Sequence, residues 1–147
     1  MIQFDYETGY QEQAYIEPQG FLGYLDGEKV TLIGSIQCPY YVKNAVIQAL
    51  DTDPDNVRVI QPSIGGAFGG KEEFPSLMAC QLAVAVQKIG KPIQLLYERE
   101  EDMEVTTKRH PATIHFEAAI GKDNVILGFK TYCAIDAGAN VGLSGVV

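Results

Sequence analysis

The segment Ile64-Gly65-Gly66-Ala67-Phe68-Gly69-Gly70-Lys71 places four glycines and a lysine around one aromatic ring. Glycines reach positive φ and admit close backbone approach, so such a loop can present N–H groups to an anionic or oxo-bearing ligand. The same composition also makes a tight packing turn. Gly65-x-x-x-x-Gly70-Lys71 matches the opening of a phosphate-binding P-loop, and Tyr132–Asp136 could pass for its acid-bearing strand. A P-loop, however, needs Ser or Thr after the lysine to bind Mg²⁺. Here Glu72 and Glu73 follow, and two carboxylates beside a triphosphate repel it. A P-loop-like nucleotide-binding module therefore stands as an alternative, beside a non-catalytic structural domain.

Metal chemistry from the chain itself has little support. Cys38, Cys80 and Cys133 are widely spaced and include no C-x-x-C pair, and the only histidines are His110 and His115. That pattern suits neither a disulfide framework nor a zinc or iron–sulfur site, so three buried structural thiols are expected. With 147 residues, 46% hydrophobic and 20% charged, the chain can bury one core, and a single domain over 1–147 is expected. A net charge of −8 argues against a nucleic-acid partner. No apolar run approaches the roughly 20 residues a membrane span needs. The opening MIQFDYETGYQEQ has no basic, apolar signal-peptide pattern, which points to a cytoplasmic protein.

The elements that must position the glycine loop follow from punctuation and periodicity. Asp26-Gly27 between Gly20–Leu25 and Val30–Ile36 predicts a hairpin. Pro39 suits the first turn of a helix carrying Val42, Ala45, Val46, Ala49 and Leu50 at helical spacing, and Val57–Gln61 reads as a strand. Pro75 opens a helix to about Lys88 whose apolar residues, Leu77 to Val86, surround its circumference, which predicts burial on all sides. Gly90-Lys91-Pro92 stops it, and Ile93–Tyr97 resumes as a strand. Glu98–Arg109 reads as a turn with a short helix, its run Glu98–Asp102 a solvated acidic face. Thr113–Ile120 and Val125–Asp136 form a second hairpin about Gly121–Asn124. The order ββαβαβββ predicts an α+β fold: a two-layer domain with a mixed sheet, two hairpins and two main helices. Ala137–Val147 is uncharged and glycine-rich, and is expected to be interior to a longer protein.

Gly-Gly-Ala-Phe-Gly-Gly-Lys-Glu (65–72) resembles the signature loop of the molybdenum-binding subunit of xanthine dehydrogenases and aldehyde oxidases, the molybdenum hydroxylases. Gly9–Pro18 resembles an upstream segment of that family, with Gln13 where a histidine usually stands. Ser35-Ile36-Gln37 is similar to its strand-end glutamine segment. Arg99-Glu100-Glu101-Asp102-Met103 and Arg109-His110-Pro111 resemble its R-x-E-D-M and R-H-P pair. All four lie in the family's order.

The resemblance implies an oxidoreductase that inserts oxygen from water at an electron-poor carbon of a purine, another N-heterocycle or an aldehyde. It implies a molybdenum-pterin cofactor whose metal is held by the pterin dithiolene, with no protein metal ligand. Gln37 matches the side-chain amide that donates to a molybdenum oxo group. Gly66, Ala67, Phe68, Gly69 and Gly70 match the loop that approaches the cofactor, and Glu72 a position facing the substrate. On their own residues, Gln37 could instead cap the following helix, and Glu72 could be a solvated acid at a helix start. Arg109-His110-Pro111 is expected to hold a turn. Tyr10, Tyr15, Tyr40 and Tyr41 are expected to be core or interface aromatics. The family's catalytic glutamate has no match here. The chain is thus expected to be the first portion of a subunit, inactive alone, whose partners are the rest of that subunit, iron–sulfur and flavin modules, and a small-molecule substrate.

Overall fold

The computed structural model describes residues 1–139 and 142. In chain order the elements are β1 (Ile2–Thr8), β2 (Gly20–Asp26), β3 (Lys29–Gly34), α1 (Pro39–Leu50), β4 (Val57–Ile60), α2 (Pro75–Ile89), β5 (Ile93–Leu96), α3 (Arg99–Val105), β6 (Ala112–Ile120) and β7 (Ile126–Ile135). The chain divides into two units, Gln13–Thr107 and Met1–Glu12 with Lys108–Val147. The fold is α+β, as its order of elements predicted. The reading of Ala137–Val147 as interior falls largely outside the described residues.

In Gln13–Thr107 a four-stranded sheet runs β4-β3-β2-β5. Gly27, at φ +63°, turns β2 into the antiparallel β3. β3 and β4 are parallel, so the chain must cross over, and α1 supplies that crossover. Helices α1 and α2 pack on each other and on the sheet. Phe21, Val30, Leu32, Ile36, Val42, Val46, Val57, Met78, Leu82 and Val86 fill the space between the layers. Burying one such side chain contributes about 1.5–3 kcal/mol.

Helix α2 departs from expectation. Met78, Ala79, Leu82, Ala83 and Val86 are buried, yet Leu77 is 62% exposed. Among the described residues one helical layer covers this sheet, so one face of α2 finds apolar partners. Gly90 ends the helix at φ +68°. The thiols differ too: Cys38 and Cys80 are half-buried and Cys133 is exposed, all three free. Of the four singled-out tyrosines, Tyr15 is buried whereas Tyr10, Tyr40 and Tyr41 are exposed.

The other unit holds a three-stranded antiparallel sheet, β1-β6-β7. The second hairpin is β6–β7, and β1 joins its other side, from Ile2↔Ala118 to Thr8↔Ala112. Strand β1 lay outside the predicted elements, although Ile2, Phe4 and Tyr6 alternate with Gln3, Asp5 and Glu7. Gln11 and Arg109 extend the pairing through an isolated bridge. No described helix is long and apolar enough to cross a membrane.

Candidate cofactor site

The glycine loop joins β4 to α2 and is held from beneath by a lysine. Lys71 is fully buried; its Nζ donates to the Glu17 carbonyl (2.7 Å), the Ser35 hydroxyl (2.7 Å) and Glu17 Oε2 (3.2 Å). The ammonium also lies 4.5 Å from the centroid of the Tyr15 ring, over its face. Glu17 Oε2 accepts further bonds from Gly65 N–H and the Ser35 hydroxyl, both at 2.7 Å. One carboxylate oxygen therefore clamps the start of the loop while its partner lysine anchors the end. A buried ammonium is stable only with its donors satisfied in this way.

This geometry disposes of the nucleotide alternative. A P-loop lysine must reach phosphates, whereas Lys71 points inward with all three donors engaged. Its acceptors come from residues 17 and 35, far away in sequence, so no local pattern could have disclosed its role.

A second layer supports the first. Tyr15 donates to Asp102 Oδ1 (2.6 Å), and the Gln19 N–H donates to Asp102 Oδ2 (2.8 Å). Gln19 Nε2 donates to Tyr15 Oη (2.9 Å) and to the Gly70 carbonyl (2.8 Å). Asp102 is 1% exposed, so it does not share the solvated acidic face expected of Glu98–Asp102. Helix α3 therefore braces the glycine loop through Tyr15 and Gln19. Burial, and then the bond to Asp102, push the Tyr15 hydroxyl pKa well up.

Burial works against ionisation of Glu17, yet Gly65 N–H, Ser35 and Lys71 together hold its carboxyl below the usual range. Burial pushes the Lys71 ammonium down, with Glu17 opposing it. A depressed carboxyl gives stability that is present above its unfolded value, 4.5, and lost as pH falls through the lower folded value. Glu17→Gln should therefore flatten the acid limb of stability below about pH 5, read as the urea midpoint against pH. An unchanged limb would show that Glu17 takes no part in acid unfolding.

The exposed side of the loop brings the remaining candidates together. Gln37 and Lys71 pair: Gln37 N–H donates to the Lys71 carbonyl (2.7 Å), and Lys71 N–H donates to Gln37 Oε1 (3.1 Å). Gln37 does not cap α1; Cys38 holds that position without a side-chain bond. With Oε1 fixed by an N–H, the amide orientation is set, and Nε2 has no acceptor among the described residues. Phe68 is 77% exposed at φ +52°. Gly69 sits at φ +90° with open space where a Cβ would stand. Gly70 is required for the opposite reason: a Cβ there would lie 2.6 Å from Tyr15 Cε1. Ala67 is buried and its carbonyl accepts from Gly70 N–H (2.9 Å), while Gly66 lies against Tyr15 and Phe68.

Glu72 follows directly, half-buried, and its carboxylate accepts no hydrogen bond from the described residues. It is near enough to Cys38 to add to the upward push that burial gives that thiol. Among the described residues no three His, Cys, Asp or Glu side chains gather as metal ligands. What the surface offers is an amide donor, an open backbone and a carboxylate. These fit a cofactor that brings its own metal ligands.

Comparison with known proteins bears on the chain as a whole. A family model described as the molybdopterin cofactor-binding domain matches residues 1–147. The large molybdopterin subunit of nicotinate dehydrogenase from Eubacterium barkeri is 31% identical over 95% of this chain and 32% of that protein. Xanthine dehydrogenase from Dictyostelium discoideum is 29% identical over 98% of this chain and 11% of its own length. The aldehyde oxidoreductase structure from Desulfovibrio desulfuricans superposes with a TM-score of 0.79 at 25% identity, covering 90% of this chain and 15% of that one. The chain thus spans about a third or less of these relatives. With every residue inside the family match, the chain belongs to the molybdopterin cofactor-binding domain family.

Proposed function

We propose that this chain forms the cofactor-facing wall of a molybdenum hydroxylase acting on a purine, another N-heterocycle or an aldehyde. One observation carries the reading: Lys71 N–H fixes Gln37 Oε1, which turns the amide Nε2 into an oriented donor at the end of the glycine loop. The molybdenum-pterin cofactor, when bound, supplies a metal centre that accepts two electrons and delivers oxygen derived from water. Gln37 would hold that group through its Nε2 donor, and because Lys71 N–H already pins the amide, the donor would be in place without reorganisation. Phe68 and Gly69 present backbone and ring at the open side of the loop. Glu72 accepts from a substrate ring N–H and orients the electron-poor carbon. The catalytic base, the iron–sulfur and flavin modules, and the rest of the subunit lie on partners or segments other than this wall. We place the whole enzyme in the cytoplasm, with residues 1–147 as one piece of its molybdenum subunit.

The test is turnover of xanthine, nicotinate and benzaldehyde by the full-length protein loaded with molybdenum-pterin. At least one should be oxidised. Where the preferred substrate is a heterocycle, Glu72→Gln should lower its kcat/KM by about 10–100-fold and leave cofactor content unchanged. A fully loaded enzyme inert toward all three classes would overturn the proposal.

A further inference from the structure

Away from the glycine loop, a cavity of about 390 Å³ opens between the first turn of α1 and β4. Its size falls in the usual range for small-ligand sites. Lys29, Lys43 and Arg58 line it, with Asp55 the one acid in its lining. None of the three cations has an ion-pair partner among the described residues. Three unneutralised cations around one cavity are unexpected in a chain of net charge −8, whose general field repels anions.

The helix end adds to the same sign. The first turn of α1 contains no acidic residue, and its N-cap makes no side-chain hydrogen bond. Pro39 and Tyr40 of that first turn stand on the cavity wall, so the helix dipole adds partial positive charge there, offset in part by Glu72 near Cys38. Tyr40 offers an exposed ring, and Val57 a buried apolar floor.

We propose that this cavity is an anion site for a phosphate-bearing small molecule, independent of the molybdenum-pterin surface. Arg58 engages phosphate oxygens with its planar fork, and Lys29 and Lys43 add compact charge. The cavity includes no residue of the glycine loop, so the proposal stands whether or not the cofactor reading does.

Isothermal titration of the full-length protein with pyrophosphate, and separately with ADP, tests it. One saturable site is expected, weakening as salt rises. The K43E/R58E double variant should bind at least tenfold more weakly, with its circular dichroism unchanged. ADP binding more tightly than pyrophosphate assigns the site to a nucleotide; equal affinities assign it to the diphosphate alone, and either supports the proposal. K122E/K130E, an equal charge change on the other unit, should bind as the parent does. No saturable binding would overturn the site, as would equal weakening by both double variants. So would capture of hexaglutamate without competition from pyrophosphate, because β4 pairs only with β3 and its other edge would then be adding a peptide strand.

Discussion

Gln37→Ala in the full-length, cofactor-loaded enzyme should lower kcat by about 10²–10³-fold, the loss typical of removing one preorganised donor. Alanine also deletes the acceptor for Lys71 N–H, which costs about 1 kcal/mol of stability. Gln37→Glu separates the two effects. A carboxylate oxygen can still accept from Lys71 N–H, but no N–H remains to donate outward. This variant should keep the parent melting temperature and metal content while losing turnover to a similar degree. Native turnover by Gln37→Glu would return the residue to a purely structural role.

Lys71→Met should destabilise the chain by about 3–5 kcal/mol, the cost of breaking a buried ion pair from one side. Methionine fills similar volume, so the loss reports on the three hydrogen bonds and the Tyr15 contact rather than on a void. Glu17 keeps a partly exposed side chain and can recover some hydration, which favours the lower end. Because the pair is buried at the lysine, the melting temperature should fall by nearly the same amount at low and high salt. A loss under about 1 kcal/mol would mean that the loop holds its shape without the lysine.

The sequence was most legible where the backbone itself had to change direction. Asp26-Gly27, Gly90 and the Pro39 and Pro75 helix starts each impose a local φ or remove a donor, and each element they bound formed where expected. The glycine loop was legible as a place, and its resemblance supplied the candidates Gln37, Gly66, Ala67, Phe68, Gly69, Gly70 and Glu72. The support beneath it was not legible. Tyr15, Glu17, Gln19, Ser35, Lys71 and Asp102 come from four separate segments, and only the fold makes their polar groups meet. Asp102 in particular stands among Glu98, Glu100 and Glu101, so charge patterning alone assigns it to water. Strand β1 was passed over although its alternation was present, since no glycine or proline turn flags a partner about a hundred residues away.

The pairing of β1 with β6 also sets an order of events during synthesis. Thr8 meets Ala112 and Ile2 meets Ala118, with all of Gln13–Thr107 translated in between. At roughly 5–20 residues per second, the ribosome leaves β1 without its partner for about 5–20 s. The sheet of the other unit cannot close until then, while β2 and β3 find each other almost as soon as they emerge. Nascent β1 therefore waits as an alternating strand with Ile2, Phe4 and Tyr6 along one face. Asp5 and Glu7, on the opposite face, are charges of the kind that disfavour pairing of such a waiting segment with a neighbouring chain.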